Sequence, residues 1–276
     1  MSKTILITGC SSGIGYASAK MLKAKGWRVF ATARKDADII RLEGEGLEVF
    51  RLDYAEPITI SECVAEIAER TQGKLFALFN NGGYGQPGAL EDISRAALTA
   101  QFEANVFGWH ELTRDCLKLM RANGSGRIVN NSSVLGLTAM KWRGAYCASK
   151  FAIEALSDTL RLELKGSQIH VSLIEPGPIA TRFVEHAIEA FERNVDEESS
   201  HYKEAYVRLR TRLNGGGAKR FKLPPEAVAR KLLHALESRK PRRRYYVTVP
   251  TYVMAWARRL LPPPALDRLL DKASDQ

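Results

Sequence analysis

The chain has 276 residues, 45% hydrophobic and 26% charged, the composition of an ordinary globular protein and a length that α/β folds often fill as one domain. Four widely spaced cysteines, Cys10, Cys63, Cys116 and Cys147, form no C-x-x-C pair, and no apolar run reaches the roughly eighteen residues of a membrane span, so zinc modules, disulfide scaffolds and transmembrane proteins are set aside. The net charge of +10 sits in the tail, where from Lys203 onward 18 Lys and Arg face 6 Asp and Glu, against 23 and 25 before it; with no zinc-finger or RNP-like motif, this reads as a solvated basic face and not as a nucleic-acid site.

In chain order, a short β-rich run at 4–8 leads into Thr8-Gly9-Cys10-Ser11-Ser12-Gly13-Ile14-Gly15 and a helical pattern over 14–25. Glycines are needed there because the chain must turn tightly, let a pyrophosphate approach the backbone, and pack the new helix on the sheet. The helix N-terminus then offers free N–H groups to the phosphates. The next strand, 27–33, ends in Ala33-Arg34. Nicotinamide dinucleotides differ by a 2′-phosphate sensed at this point: Ala33 leaves room for it and Arg34 can pair with it, which favours NADP(H) over NAD(H). The competing reading makes Arg34 a solvated loop residue and Asp36 the ribose partner.

Strands follow at 47–52 and 75–79 around a helix at 58–71, then a helical stretch at 95–119 long enough for two helices, a strand at 127–131, a helix at 146–165 and a strand at 170–175. The alternation predicts an α/β, doubly wound parallel sheet of Rossmann type, flanked by helices in a single domain spanning 1–276. After Pro176 the order breaks down. Residues 183–223 carry many charges, the run Gly215-Gly216-Gly217 and no clear strand, and they leave the carboxyl end of a strand, where ligands of such sheets sit; a substrate lid is expected. A helix at 225–238 and a basic C-terminal extension at 239–276, broken at Pro262-Pro263-Pro264, complete the chain.

Tyr146 and Lys150 are spaced i, i+4 on a predicted helix, so an ammonium can lie beside a phenol. A free phenol titrates near pH 10, and acid/base work near neutrality asks for roughly 2–3 units of stabilisation, about 3–4 kcal/mol, which a neighbouring cation can supply in a dry site. The spacing alone is a coincidence-grade motif, expected in roughly every second chain of this size. Its setting discriminates.

Across residues 4–181 the sequence resembles the classical short-chain dehydrogenase/reductases, and within them the 17-beta-hydroxysteroid dehydrogenase and retinol dehydrogenase-like branch with its bacterial NADP-dependent aldehyde reductases. The motifs that carry this are TGCSSGIG (Thr8–Gly15), Asp53, NNGG (Asn80–Gly83), Asn105, Ser132-Ser133, YCASK (Tyr146–Lys150) and PGPIAT (Pro176–Thr181). The resemblance implies a catalytic set of Asn105, Ser133, Tyr146 and Lys150, with Ser133 chosen over Ser132 by the family's thirteen-residue spacing to the tyrosine. It implies a cofactor set of Gly9, Ser11, Ser12, Gly13, Ile14, Gly15, Arg34, Asp53, Asn81, Gly82, Tyr146, Lys150, Pro176, Gly177, Ile179 and Thr181, with no metal. Lysine would hold the nicotinamide ribose, serine the reacting oxygen, and asparagine would kink a helix and anchor a water linked to the lysine. One departure is Gly82, where the family commonly has alanine; the lost methyl is expected to cost rigidity and not function.

The expected activity is NADPH-dependent reduction of a hydrophobic, elongated aldehyde or ketone, or the reverse alcohol oxidation, with Phe183, Ile188, Phe191 and Tyr202 of the lid facing the substrate. The alternative is a non-catalytic cofactor-sensing regulatory or scaffold protein on the same fold, although such proteins typically lack the tyrosine or the lysine. A cytoplasmic homo-oligomer is expected. The apolar and basic segment 252–261 is expected to pack on a second subunit, with weak peripheral membrane contact as its other use.

Overall fold

The computed structural model describes residues 3–215 and 220–275; Gly216 and Gly217 of the glycine run lie outside them. Strand β1 (Thr4–Ile7) is flanked by β2 (Arg28–Ala33) and then β3 (Glu48–Arg51) on one side, and by β4 (Ala77–Asn80), β5 (Gly126–Asn131), β6 (Ile169–Glu175) and β7 (Arg244–Tyr246) on the other. All six pairings are parallel, with Ile5 opposite Val29 on one side and Ala77 on the other. The strand order reverses at β1, so the crevice outside the carboxyl ends of β1 and β4 is the expected ligand position of a doubly wound sheet.

Every residue of β1 and β4 is buried, because both faces of the sheet are covered. Alternate residues serve opposite faces. Ile5, Ile7, Val29 and Ala31 pack with Leu22 of α1 (Gly13–Ala24), Leu42 of α2 (Asp36–Gly44) and Leu232 of a later helix. Leu6, Phe30, Leu78 and Ile128 pack with Ile60 of α3 (Pro57–Arg70) and with residues of three helices that follow β4 and β5. Those are α4 (Arg95–Phe102), α5 (Gly108–Ala122) and α6 (Gly144–Glu163). The stretch expected to hold two helices does so, joined by a π-helical turn at Glu103–Phe107 that buries Asn105.

Helix α2 and strand β7 were not expected. Helix α2 buries only Leu42, too little to give an apolar stripe in the sequence. Strand β7 is three residues long and begins with an arginine, yet it pairs with Leu173–Glu175 as the seventh strand. Arg244 is held there by carboxylates from elsewhere in the chain: Glu154 and Asp158 at 2.8 Å each, and Glu175 with Nε at 3.0 Å.

Residues 183–223 contain two helices, α7 (Phe183–Asn194) and α8 (Lys203–Asn214), with a small core of their own in which Phe191, Tyr206, Leu209 and Leu213 meet Ala89 and Val195. Helix α9 (Glu226–Glu237) returns to the sheet beside α1. After β7 come α10 (Val249–Leu260) and α11 (Pro263–Asp275). Helix α10 buries Thr251 and Ala255 and leaves Val249, Val253, Trp256 and Leu260 exposed along one stripe. Helix α11 closes over the loop before α6, where the Lys141 amide donates to Ser274 Oγ. Among the described residues no helix is long and apolar enough to cross a membrane, and all four cysteines are buried and unpaired.

Candidate active site

A single cleft of about 2580 Å³ runs along the carboxyl ends of the strands and under α7, α8, α10 and α11. At one end lies the turn after β1. Gly9 and Gly13 have φ of +68° and +58°, which other residues rarely adopt. A methyl on Gly9 would meet Gly82 Cα at 2.7 Å, and one on Gly15 would meet the Gly9 carbonyl oxygen at 2.2 Å. The turn is therefore a cradle that side chains would fill, and the residues present fit a dinucleotide whose pyrophosphate lies against bare backbone at the start of α1. Gly9, Ser11, Ser12, Gly13, Ile14, Asn81, Gly82, Pro176, Gly177, Ile179 and Thr181 all line the cleft. Gly15 does not; its part is to let α1 pack.

At the end of β2, Arg34 lines the cleft with its side chain about two-thirds exposed, 3.7 Å from Asp53. Asp53 itself accepts from the Ala55 amide at 3.1 Å. Asp36, the alternative ribose partner, is paired with Arg51 at 3.5 Å and does not line the cleft. That end of the cleft is therefore lined by Arg34, Lys35 and Asp53.

In the middle of the cleft stand Ser133, Tyr146 and Lys150, all buried residues that line it. Ser133 caps a short 3-10 turn, accepting the Leu135 amide at 3.1 Å. Burial pushes the Tyr146 phenol above its ordinary range, opposed by the neighbouring Ser133 hydroxyl. Lys150 Nζ donates to the Asn131 carbonyl at 2.8 Å and lies 5.6 Å from the centre of the Tyr146 ring. Burial pulls this ammonium down to about 7. The protein alone thus disfavours both charges, phenolate and ammonium.

Asn105 does not reach the cleft. Its Oδ1 accepts the Tyr84 amide at 3.2 Å while Nδ2 donates to the Tyr84 carbonyl at 2.9 Å and to Ser149 Oγ at 3.2 Å. The π-helical turn aims it at the 82–86 loop, so in this chain it is a positioning residue. Of the four lid residues expected to face substrate, only Phe183 lines the cleft, with its ring 5.4 Å from that of Tyr146. Phe191 instead lies in the small core of α7 and α8, and Ile188 and Tyr202 pack against that core.

Three contributors escaped sequence reading. Trp109 lies with its ring centre 4.5 Å from Lys150 Nζ and donates Nε1–H to the Gly82 carbonyl at 2.8 Å. Tyr54 places its hydroxyl 2.8 Å from Thr8 Oγ1, and the same Thr8 oxygen accepts the Gly82 amide at 3.0 Å. A methyl on Gly82 would come 3.2 Å from Tyr54 Cε2. The space of the missing alanine methyl is therefore used by Tyr54, and the loop is tied down by hydrogen bonds at both its amide and its carbonyl. Arg143, one turn before Tyr146, also lines the cleft. No local pattern marks any of the three, because each acquires its neighbour only through the fold.

The comparisons with known proteins agree with this geometry. The family model for short chain dehydrogenase matches residues 3–191. The oxidoreductase YbbO of Escherichia coli is 45% identical over 98% of this chain and 94% of its own length. The human 17-beta-hydroxysteroid dehydrogenase type 1 is 33% identical over 90% of this chain and 78% of its own length. A short-chain dehydrogenase structure from Streptomyces avermitilis, 30% identical, superposes with a TM-score of 0.80, covering 97% of this chain and 93% of that one. The chain belongs to the short-chain dehydrogenase/reductase family, oxidoreductases that act on CH–OH and C=O groups with a nicotinamide cofactor.

Proposed function

We propose that the protein is an NADP(H)-dependent reductase of hydrophobic aldehydes or ketones, able to run the reverse alcohol oxidation. The observation that carries this is one continuous cleft with Arg34 and the glycine cradle at one end and Ser133, Tyr146 and Lys150 together in its middle. A bound nicotinamide supplies the hydride. The chain's own residues do the rest. Tyr146 gives its phenol proton to the oxygen that gains negative charge, and Ser133, whose oxygen is engaged by the Leu135 amide, is free to donate its hydroxyl hydrogen to the same oxygen. Lys150 lies close enough to stabilise the phenolate left behind. A phenol held protonated by burial suits the reducing direction near neutrality. The non-catalytic alternative is not favoured, because tyrosine, serine and lysine are all present and lie together.

The preference for NADP(H) rests on Arg34, which has its exposed guanidinium at the ribose end, with no acid taking the place of Ala33. The hydrophobic substrate rests on Phe183, Met140 and Met254 along the cleft. Unpaired buried thiols support a cytoplasmic location. The exposed stripe on α10 supports a homo-oligomer, with membrane contact as its competitor; a monomeric mass in light scattering would remove the oligomer.

The test is consumption of NADPH and NADH over medium-chain aldehydes, retinal and steroid ketones. Tyr146→Phe should lower kcat at least ~10²-fold while cofactor still binds. Arg34→Ala should raise the KM for NADPH by roughly 10-fold or more and leave that for NADH nearly unchanged, the scale of a charge-assisted pair. Binding of NADPH with no turnover of any carbonyl would refute the enzyme reading, and an unchanged NADPH preference in Arg34→Ala would refute the cofactor assignment.

A further inference from the structure

Arg143 is a guanidinium without a counter-ion. It precedes α6 by one residue, and its side chain lines the cleft one helical turn before Tyr146. Some cations around the cleft have acids, as Lys141 has Asp271 and Arg182 has Glu185. Among the described residues no hydrogen bond or ion pair engages the Arg143 guanidinium. Burial, reinforced by the like charge of Arg212, pulls it down to about 10. Arg212, on α8, has its Nη1 on the Ser274 carbonyl at 2.6 Å and likewise has no acid among the described residues. Two guanidiniums that line one cleft with no acid on either make that stretch of the wall attractive to a negative group.

The backbone that delivers Arg143 is itself strained. Trp142 has φ of +63°, a conformation that bulky residues rarely adopt. It is held there by Tyr202 and Tyr206, whose rings lie 5.1 and 6.0 Å from its own, and by its carbonyl, which accepts the Gly88 amide at 3.1 Å. Such strain persists only where surrounding packing over-determines it, and it is concentrated at ligand clamps. Here its result is to turn Arg143 into the cleft beside the reacting group, while Met140, Phe183, Met254 and Leu270 make neighbouring walls apolar.

We propose that Arg143 and Arg212 form an anion-binding subsite, and that the substrate is an amphiphilic carbonyl compound carrying a carboxylate, sulfonate or phosphate a few bonds from its C=O. The short separation follows from the three-residue spacing of Arg143 and Tyr146 at the start of α6. The hydrocarbon body then lies along the apolar walls. This deepens the reductase reading and rests on it for the carbonyl, though not for the anion.

The anion is tested by calorimetry with decanoate, decanesulfonate and decanol, none of which can be reduced at a carbonyl. Wild type is expected to bind one or both anions at least ~10-fold more tightly than decanol, the scale of a charge-assisted hydrogen-bonded pair, and the better anion identifies the group. Arg143→Gln and Arg212→Gln should bring anion and alcohol to within about 2-fold, with decanol affinity kept. Equal affinities in wild type, or a preference that survives in the double variant, overturn the subsite. The carbonyl is tested with 4-oxododecanoate against its methyl ester: the acid should be reduced with at least ~10-fold higher kcat/KM, and Arg143→Gln should bring the ratio of acid to ester to within about 2-fold. An anion preference in binding with no NADPH oxidation on either compound overturns the reductase reading alone. Turnover of both compounds at equal kcat/KM overturns the anion subsite alone.

Discussion

The indole of Trp109 is expected to raise the pH at which Lys150 titrates, and this effect can be separated from its packing role. Its ring centre lies 4.5 Å from Nζ in a site where burial pulls the ammonium down to about 7. A desolvated cation over an aromatic face is stabilised by about 2 kcal/mol, which at roughly 1.4 kcal/mol per pH unit is about 1 to 1.5 units of Lys150 pKa. Trp109→Leu removes the face and also the hydrogen bond to the Gly82 carbonyl. Trp109→Phe loses the same hydrogen bond but keeps a face, so the difference between the two variants isolates the ring. The assay is kcat/KM for NADPH at saturating aldehyde, which reports ionisations of the free enzyme. In wild type the rate should hold below about pH 7 and fall above it as Lys150 loses its proton. In Trp109→Leu the break should move down by about 1 to 1.5 units, with Trp109→Phe between, so that at pH 7 Leu costs roughly 10-fold and near pH 5 much less. A loss of equal size at every pH, with the break unmoved, would show that the ring only packs.

Gly15→Ala should abolish soluble expression or reduce it severely, since its methyl would lie 2.2 Å from a backbone oxygen, whereas Gly82→Ala, at 3.2 Å from the Tyr54 ring, should cost only about 1–2 kcal/mol in chemical unfolding; equal costs would contradict the cradle. Glu175 is fully buried beside Pro176, and burial pushes its carboxyl to about 9. The folded protein therefore keeps a proton that the unfolded chain releases above about 4.5, so stability falls as pH rises from there to about 9, with a limiting slope of about 1.4 kcal/mol per unit. Glu175→Gln should flatten that fall, matching wild type near pH 5 and exceeding it at pH 8 in thermal unfolding; a variant less stable than wild type at pH 8 would show that the carboxylate is needed as an anion for Arg244.

What could be read from the sequence divides by the range of the forces involved. Strands β1, β2 and β4 were legible because both faces are covered, so their apolar runs are nearly unbroken. The glycine turn was legible because its constraint is local: a positive φ at Gly9 and a close approach at Gly15 demand glycine whatever lies beyond. Strand β7 was hidden for the opposite reason. Its Arg244 would mark it as surface, and becomes compatible with a half-buried edge only when Glu154 and Asp158 arrive from α6 and Glu175 from β6. The same holds in the cleft. The motif positions Ser133, Tyr146 and Lys150 could be matched one by one, but the groups that tune them are long-range. Trp109 reaches Lys150 across 41 positions of chain, and Tyr54 fills the space left at Gly82. That glycine shows how a departure from pattern can be seen without being understood. As a sequence letter it looks like a lost methyl. In the fold, a hydrogen-bonded tyrosine ring occupies the space, Trp109 takes the loop carbonyl, and the same indole covers the ammonium, so the substitution and the tuning of Lys150 belong to one packing arrangement.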